Sequence, residues 1–374
     1  MSLLEKTKKR TIKWLVSSCV VIVLIVDSSL IVVVDAAQAE AAQEGRLDGF
    51  RMVMGALAGL VLFLYGVIRM SEGLKAIAGE RMKELLGKFT TNRFAGVATG
   101  TVVTAVLDSS SITIILVVGL VNAGLLTFVQ SLGVIMGANI GTTVGSQLIA
   151  LEINEYAPLL LVVGAALHFL AKSEALQHAG LSVLGLGLIF FGLDEIGNAA
   201  EPLRNYQPFI DTMKRMEHPL MGALAGAGAT LLIQSSSATV GIVITLASQG
   251  LITLPAGMAM MLGAEIGTCS DTLLATIGRS REAVRAGVFH LVFNIISVAL
   301  GLIFIAQLAR LATWLAFGGG VPRQIANGHV LFNGLSVLLF IWFTPQIAHA
   351  LKWLIPDKAQ PGEQTDSAAE PSHA

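Results

Sequence analysis

The sequence is poor in charged residues and in cysteine. Asp, Glu, Lys and Arg make up only 13% of its 374 residues, whereas soluble domains carry about 25%. This shortage excludes an ordinary soluble globular domain over most of the chain. The two cysteines, Cys19 and Cys269, give no sign of a disulfide scaffold. A net charge of −1 gives no general signal for nucleic-acid binding.

Apolar runs are what the sequence has in abundance. Hydrophobic residues make up 54% of the chain, and the mean hydropathy is +0.74. Such runs recur over almost the whole length and are typical of membrane-spanning helices. Strands of an outer-membrane barrel would instead alternate polar and apolar residues. We therefore expect an all-α polytopic membrane protein, because helices satisfy their own backbone hydrogen bonds in lipid.

The two ends of the chain differ from the rest. A basic segment precedes an apolar run from Trp14 to Val34. Residues 1–49 are therefore either a signal peptide cleaved after Ala39 or a first membrane helix. In both cases the basic flank keeps the first residue in the cytoplasm. The tail, residues 356–374, is polar and acidic, and we expect it to be disordered.

An internal repeat divides the chain. Ser109 aligns with Ser235 at an offset of 126 positions, and from Ser109 to Thr142 the aligned residues are identical at 14 of 34 positions. The identities include both SSS triplets and both G-A-x-I-G-T motifs, which chance similarity of apolar sequence does not explain. The chain is expected to contain a first repeat, a second repeat and C-terminal membrane helices, over residues 50–175, 176–300 and 301–355.

Loop charges predict that the two repeats have opposite orientations in the membrane. The segment from Arg69 to Arg93 holds six Lys or Arg residues, and its counterpart from Asp194 to His218 holds three. In the next pair of loops the bias reverses, because IGRSREAVR is basic and LEINEYAP has no Lys or Arg. Lys and Arg favour the cytoplasmic side, so equivalent loops lie on opposite sides. This inverted architecture is that of many secondary transporters.

Each SSS triplet interrupts an apolar stretch. The apolar pieces before Asp108 and after Ser111 are 14 and 10 residues long, and neither reaches the roughly 20 residues of a full span. A helix that stops inside the membrane leaves N–H groups free at the next N-terminus, and these groups attract an anion. We therefore predict two broken helices around an anion site.

Two further motif pairs accompany the triplets. The glycines of MGANIGTTVGS and LGAEIGTCSDT allow either a break or close packing of a helix, and Asn139, Thr142 and Thr143 offer uncharged oxygens that suit Na⁺. The segments HLVFN and HVLFN begin at His290 and His329 and place His and Asn on one helix face. We interpret these histidines as partners in hydrogen bonds between helices and the isolated His168 as structural.

These motifs resemble those of the type II sodium-dependent phosphate cotransporters and their bacterial relatives. The similarity extends over about residues 50–345 and rests on QSSSAT from Gln234, SSS from Ser109 and GANIGTT from Gly137. The resemblance implies a helical homodimer in the plasma (inner) membrane, with two re-entrant hairpins around a central site for phosphate and Na⁺. It implies no enzyme activity, no nucleic-acid partner and no cofactor apart from co-transported Na⁺. Longer bacterial relatives carry a soluble C-terminal regulatory domain, which we expect this chain to lack.

The resemblance also implies roles for individual residues. The residues expected to line the phosphate site are Ser109, Ser110, Gln234, Ser235, Ser236 and Ser237. The residues expected to bind Na⁺ are Thr113, Asn139, Thr142, Thr239 and Thr268, together with the acidic residues Asp108 and Glu265.

Those two acidic residues depart from the family pattern. Asp108 stands where the first repeat of the family has glutamine, and Glu265 stands where its second GANIGTT motif has asparagine. A carboxylate beside phosphate is unfavourable, because two like charges 4 Å apart cost on the order of 4 kcal/mol at an effective dielectric near 20. Three explanations stay open: Asp108 binds Na⁺, which we prefer, or it carries a proton, or the substrate is not phosphate.

We therefore expect a secondary active transporter that imports inorganic phosphate with Na⁺ by alternating access. One alternative is a transporter of the same fold with H⁺ coupling, phosphate efflux or another oxyanion. A more remote alternative is a channel or a non-transporting scaffold. An embedded enzyme is disfavoured, because the serines have no convincing His and Asp partners in the sequence.

Overall fold

The computed structural model describes residues 48–88, 90 and 92–357. The apolar run predicted as a signal peptide or first membrane helix lies outside these residues, as does all of the predicted tail after residue 357. The described residues form fifteen α-helices and no strand. Five helical segments among them are long and apolar enough to cross a membrane. The expected all-α polytopic membrane fold is therefore confirmed.

The helices of the first half are α1 (Gly49–Lys88), α2 (Arg93–Leu107), α3 (Ser110–Asn122), α4 (Phe128–Ile149) and α5 (Ala157–Leu170). The helices of the second half are α6 (Glu174–Ala200), α7 (Gln207–Met216), α8 (Pro219–Ile233), α9 (Ser236–Ser248), α10 (Leu254–Gly267), α11 (Cys269–Leu274) and α12 (Arg281–Ile303). The chain continues with α13 (Ile305–Leu315), α14 (Val321–Phe340) and α15 (Thr344–Leu354).

The sequence repeat recurs in the helix boundaries. Helices α2 and α3 begin and end 126 positions before α8 and α9, to the residue. Each pair forms a helical hairpin whose legs have 15 and 13 residues. A leg of 15 residues is about 22 Å long at 1.5 Å per residue, which is less than the roughly 30 Å of a bilayer core. The triplets therefore do interrupt the apolar stretches, as predicted.

The glycine motifs bring helices into close contact. A Cβ added to Gly141 in α4 would lie 2.6 Å from Thr104 Cβ in α2, and one added to the aligned Gly267 in α10 would lie 2.6 Å from Thr230 Cβ in α8. Small residues at helix interfaces permit such contacts in membranes. Both motifs therefore pack closely, but only the second contains a break, because α10 ends at Gly267 while α4 continues to Ile149.

Each hairpin has its own apolar surroundings. Buried side chains of the first hairpin pack with those of α4, α12 and α15, and buried side chains of the second pack with those of α10, α13 and α14. A third cluster joins α1 to α6. There, a Cβ added to Gly59 would lie 2.6 Å from the carbonyl oxygen of Gly192. The polar tips of the hairpins lie between these apolar clusters.

Candidate functional site

The tips of the two hairpins have the same backbone geometry. Asp108 ends α2 in the left-handed conformation (φ 48°, ψ 34°), and the aligned Gln234 ends α8 in the same conformation (φ 61°, ψ 27°). Ser109 then caps α3 by accepting a hydrogen bond from the amide of Ile112, as Ser235 does from Ala238. Serine is a preferred N-cap residue, and this explains why a serine follows each left-handed residue.

Paired threonines join the two legs of each hairpin. Thr104 Oγ1 donates to Thr113 Oγ1 at 2.8 Å in the first hairpin, and Thr230 Oγ1 donates to Thr239 Oγ1 at 2.9 Å in the second. Thr113 and Thr239 in turn donate to the carbonyl oxygens of Ser109 and Ser235. The structure thus places Thr113 and Thr239 inside the hairpins and not among the residues that line the cavity described next. Their role as Na⁺ ligands stays a prediction.

Both tips line one cavity of about 390 Å³. This volume lies within the range of roughly 300–1,000 Å³ that is typical of ligand pockets. All six residues predicted for the phosphate site line it, and so do two of the predicted Na⁺ ligands, Asp108 and Thr268. The further polar residues that line it are Ser71, Glu72, Lys75 and Ser111.

The cavity offers the donors that an anion needs. Helices α3 and α9 begin at its wall, with Ser110 and Ser236 as their first residues. The first amides of a helix have no intrahelical acceptor, and the helix dipole makes this end positive. Hydroxyl groups of both triplets add further donors. This arrangement can bind a phosphate-like oxyanion.

The wall opposite the tips is formed by α1. Ser71 Oγ of α1 donates to the carbonyl oxygen of Leu107 at 3.0 Å, which fixes α1 against the first tip. Four residues further along α1, Lys75 reaches the cavity. The neighbouring Glu72 is paired with Arg69 at 2.8 Å, whereas Lys75 has no ion-pair partner among the residues that the structure describes. In the described part of the chain, no residue of α6 lines this cavity.

The other predicted Na⁺ ligands lie in a buried polar layer outside the cavity lining. Asn139 Nδ2 donates to Asn294 Oδ1 at 3.0 Å, and Thr142 Oγ1 donates to the carbonyl oxygen of Asn139 at 2.7 Å. Glu265 is 1% exposed, and its Oε1 lies 2.8 Å from His329 Nε2. Their carboxyl and amide groups therefore contact α12 and α14, and their role as Na⁺ ligands also stays a prediction.

The histidines of the HLVFN and HVLFN segments make the predicted contacts between helices. His290 Nδ1 lies 2.8 Å from Thr272 Oγ1 of α11, and His329 Nδ1 lies 2.6 Å from Ser146 Oγ of α4. Ser146 and Thr272 are aligned in the repeat, so the two histidines bind equivalent positions. His168 contacts the carbonyl oxygen of Gln177 in the adjacent helix. The predicted hydrogen bonds of these histidines to neighbouring helices are therefore present.

Sequence reasoning did not assign four polar residues of the cavity lining to the site: Ser71, Glu72, Lys75 and Ser111. Ser111 Oγ lies 3.3 Å from Thr268 Oγ1, a residue of the other repeat. The acidic Asp271 in α11, three positions after Thr268, was also passed over, although an acidic residue within an apolar segment is by default a functional candidate.

Comparisons with known proteins identify relatives of the chain. The pattern of the family described as Na⁺/Pi-cotransporter matches residues 62–198 and 206–338. The uncharacterized protein YqeW of Bacillus subtilis is 33% identical over 247 residues, which cover 66% of this chain and 80% of that protein. YjbB of Salmonella typhimurium, named for inorganic phosphate export, is 26% identical over 68% of this chain.

Human sodium-dependent phosphate transport protein 2B is 31% identical over 33% of this chain and 19% of its own length. The chain spans about half the length of YjbB, 47%. No solved structure matches the chain significantly. The family match extends over both repeats and well over half of the residues, and the chain therefore belongs to the Na⁺/Pi-cotransporter family.

Proposed function

We propose that the protein transports inorganic phosphate across the plasma membrane together with Na⁺, by alternating access. The observation that carries this proposal is the meeting of both serine tips at one cavity. The N-termini of α3 and α9 supply amide donors there, and the triplets supply hydroxyl groups. Such half-helix ends bind anionic groups in secondary transporters.

The acidic residue in the cavity supports the Na⁺ coupling in this proposal. Asp108 lines the cavity together with the proposed phosphate donors, and a carboxylate repels a nearby phosphate unless a cation lies between them. Carboxylate and hydroxyl oxygens are ligands that a hard cation such as Na⁺ accepts. We therefore assign Asp108 and Thr268 as the first Na⁺ ligands to test. The inverted orientation of the repeats and the homodimer are further parts of this proposal.

Phosphate uptake into proteoliposomes tests the proposal. An imposed Na⁺ gradient should drive uptake of radiolabelled phosphate, with arsenate competing and sulfate competing less. Ser236→Ala should reduce uptake at low phosphate, because it removes a donor at the N-terminus of α9. The matched control is Ser248→Ala, at the exposed end of the same helix. Saturable flux without any dependence on Na⁺ or on Ser236 would contradict the proposal.

Export is a second candidate for the direction, and one observation favours it. The cavity is lined on one side by α1 and contains Lys75, for which the described part of the chain supplies no ion-pair partner, on the flank that the Lys and Arg count predicts to be cytoplasmic. The aligned residue, Glu201, directly follows α6 and is not part of the cavity lining in the described part of the chain. A cation on the cytoplasmic side of the cavity would attract phosphate from inside the cell. The relative YjbB is named for export.

The direction of transport can be tested by presenting phosphate to each side of the membrane in turn. Vesicles with known orientation of the protein should show a lower KM for phosphate presented on the Lys75 side than for phosphate presented on the other side. An equal KM on both sides, or a lower one on the Glu201 side, would argue for import.

A further inference from the structure

His329 of α14 connects the two repeats through two buried hydrogen bonds. Its Nδ1 lies 2.6 Å from Ser146 Oγ of α4, and its Nε2 lies 2.8 Å from Glu265 Oε1 of α10. Helix α4 belongs to the first repeat and α10 to the second. All three side chains are at most 1% exposed, and a buried hydrogen bond is electrostatically stronger than one in water. One histidine therefore forms a bridge between the repeats.

Helix α12 contacts the aligned positions of the opposite repeats. His290 Nδ1 lies 2.8 Å from Thr272 Oγ1, and Thr272 aligns with Ser146. Asn294, one turn further along α12, accepts a hydrogen bond from Asn139 Nδ2 at 3.0 Å. Asn139 in turn aligns with the acidic residue of the bridge. Helices α12 and α14 thus each hold one position of both repeats.

The acidic residue gives the α14 bridge its own form. Asn333 stands in α14 where Asn294 stands in α12, four positions after the histidine, but its Oδ1 has no hydrogen-bond partner among the residues that the structure describes. An ionised carboxyl group cannot donate to that oxygen, whereas Asn139 does donate to Asn294. Glu265 contacts His329 instead. The departure from the family pattern at this position therefore places both contacts of the bridge on one histidine.

The two ends of the bridge lie directly behind the serine tips. Ser146 follows Gly145, where an added Cβ would lie 2.7 Å from Asp108 Oδ1 of the first tip. Glu265 lies two positions before Gly267, where an added Cβ would lie 2.6 Å from a threonine Cβ of the second hairpin. Helices packed this closely cannot shift without displacing their neighbours. The position of α4 therefore sets that of the first tip, and the position of α10 sets that of the second.

We propose that His329 is a positioning residue for the anion, because its two hydrogen bonds set the distance between the serine tips. This inference rests on the proposed function, in which both tips bind one phosphate. Apolar contacts between the repeats, such as that of Ile149 with Gly241, tolerate sliding, whereas a hydrogen bond weakens steeply outside a narrow range of geometry. Without the bridge, the tips also adopt spacings that one anion cannot span, and the apparent affinity falls with the competent fraction.

Equilibrium binding of radiolabelled phosphate to the purified protein, at saturating Na⁺, tests the proposal. S146A removes the contact at Nδ1 and leaves Glu265 with its partner. H329Q places its amide near the former Nε2 and so removes the same contact from the other side. We expect S146A, H329Q and the double variant each to raise the Kd about tenfold, since one open contact is enough to release the tips. The control is H168N, because His168 bonds a carbonyl oxygen of α6.

Affinity and stability together separate positioning from a merely structural role. A residue that only stabilises the fold would lower the Tm of these variants and leave the Kd of the folded protein unchanged, and this result would overturn the proposal. Fold-changes in Kd that multiply in the double variant would overturn it too. If H329Q does not elute as wild type does, S146A decides the test, because it removes only one hydroxyl group. A wild-type protein that binds no phosphate would instead contradict the proposed function, and the inference with it.

Discussion

The first and second repeats have nearly identical serine tips but differ in the layer behind them. Helix bounds, left-handed caps, serine N-caps and threonine pairs all recur at one offset. Behind the tips, α4 is continuous and carries Asn139, whereas the second repeat breaks after Gly267 and carries Glu265. The part that lines the cavity is thus built twice in the same way, and the part that contacts α12 and α14 is not.

The largest expected effect on stability distinguishes the buried contact of Glu265 from the buried contact of Asn139. His329→Ala should lower the free energy of unfolding by about 3 kcal/mol, because it leaves the buried carboxyl group of Glu265 without its partner. Asn294→Ala, which removes the partner of Asn139, should cost about 1–2 kcal/mol, since only a neutral amide loses its contact. Thermal unfolding in detergent measures both. Equal losses in the free energy of unfolding would mean that the two buried contacts contribute equally to stability.

The packing of the glycine motifs should, in contrast, be equally sensitive in both repeats. Gly141→Val and Gly267→Val each force a side chain against a threonine of the hairpin and should cost about 1–3 kcal/mol by overpacking. Gly119→Val and Gly228→Val are the controls, because a Cβ at either position meets no atom within 4 Å. A loss of stability in only one of the two variants would show that the repeats are not structurally equivalent at these glycines.

Removal of the threonine pairs is a milder test of the same equivalence. Thr104→Val and Thr230→Val each remove one buried hydrogen bond between the legs and should cost about 1 kcal/mol. We expect the same loss in both repeats, measured by thermal unfolding. If Thr113 binds Na⁺ in addition, Thr104→Val should also change the Na⁺ dependence of phosphate transport. Thr230→Val should do the same if Thr239 binds Na⁺.

The smallest expected effect concerns the charge of Lys75 at the cavity. Lys75→Gln should raise the KM for phosphate about two- to fivefold on the α1 side only, because attraction between partly exposed charges is weak and screened by salt. The effect should fade as ionic strength rises. Glu201→Gln, at the aligned position, should leave the KM on the α1 side unchanged. A salt-independent effect of Lys75→Gln would indicate a packing role.

The sequence predicted the hairpins well because polar triplets within short apolar pieces leave few alternatives. Ser109 and Ser235 had to lie at helix breaks, and both do. The second motifs were harder, because GANIGTT and GAEIGTC share their glycines while only the latter contains a break. The contact between Ser111 and Thr268 could not be placed from sequence, since the two residues lie 157 positions apart in different repeats.

The contact between α1 and α6 limits how the protein can move. A Cβ added to Gly59 would meet Gly192, and one added to Gly66 would meet the backbone of Ile189 and Gly185. A slide of one residue along the axis, about 1.5 Å, would bring larger neighbours into these gaps and force the helices apart. Rotation about the contact keeps glycine against glycine. This contact therefore opposes sliding of α1 along α6 more strongly than rotation of one helix against the other.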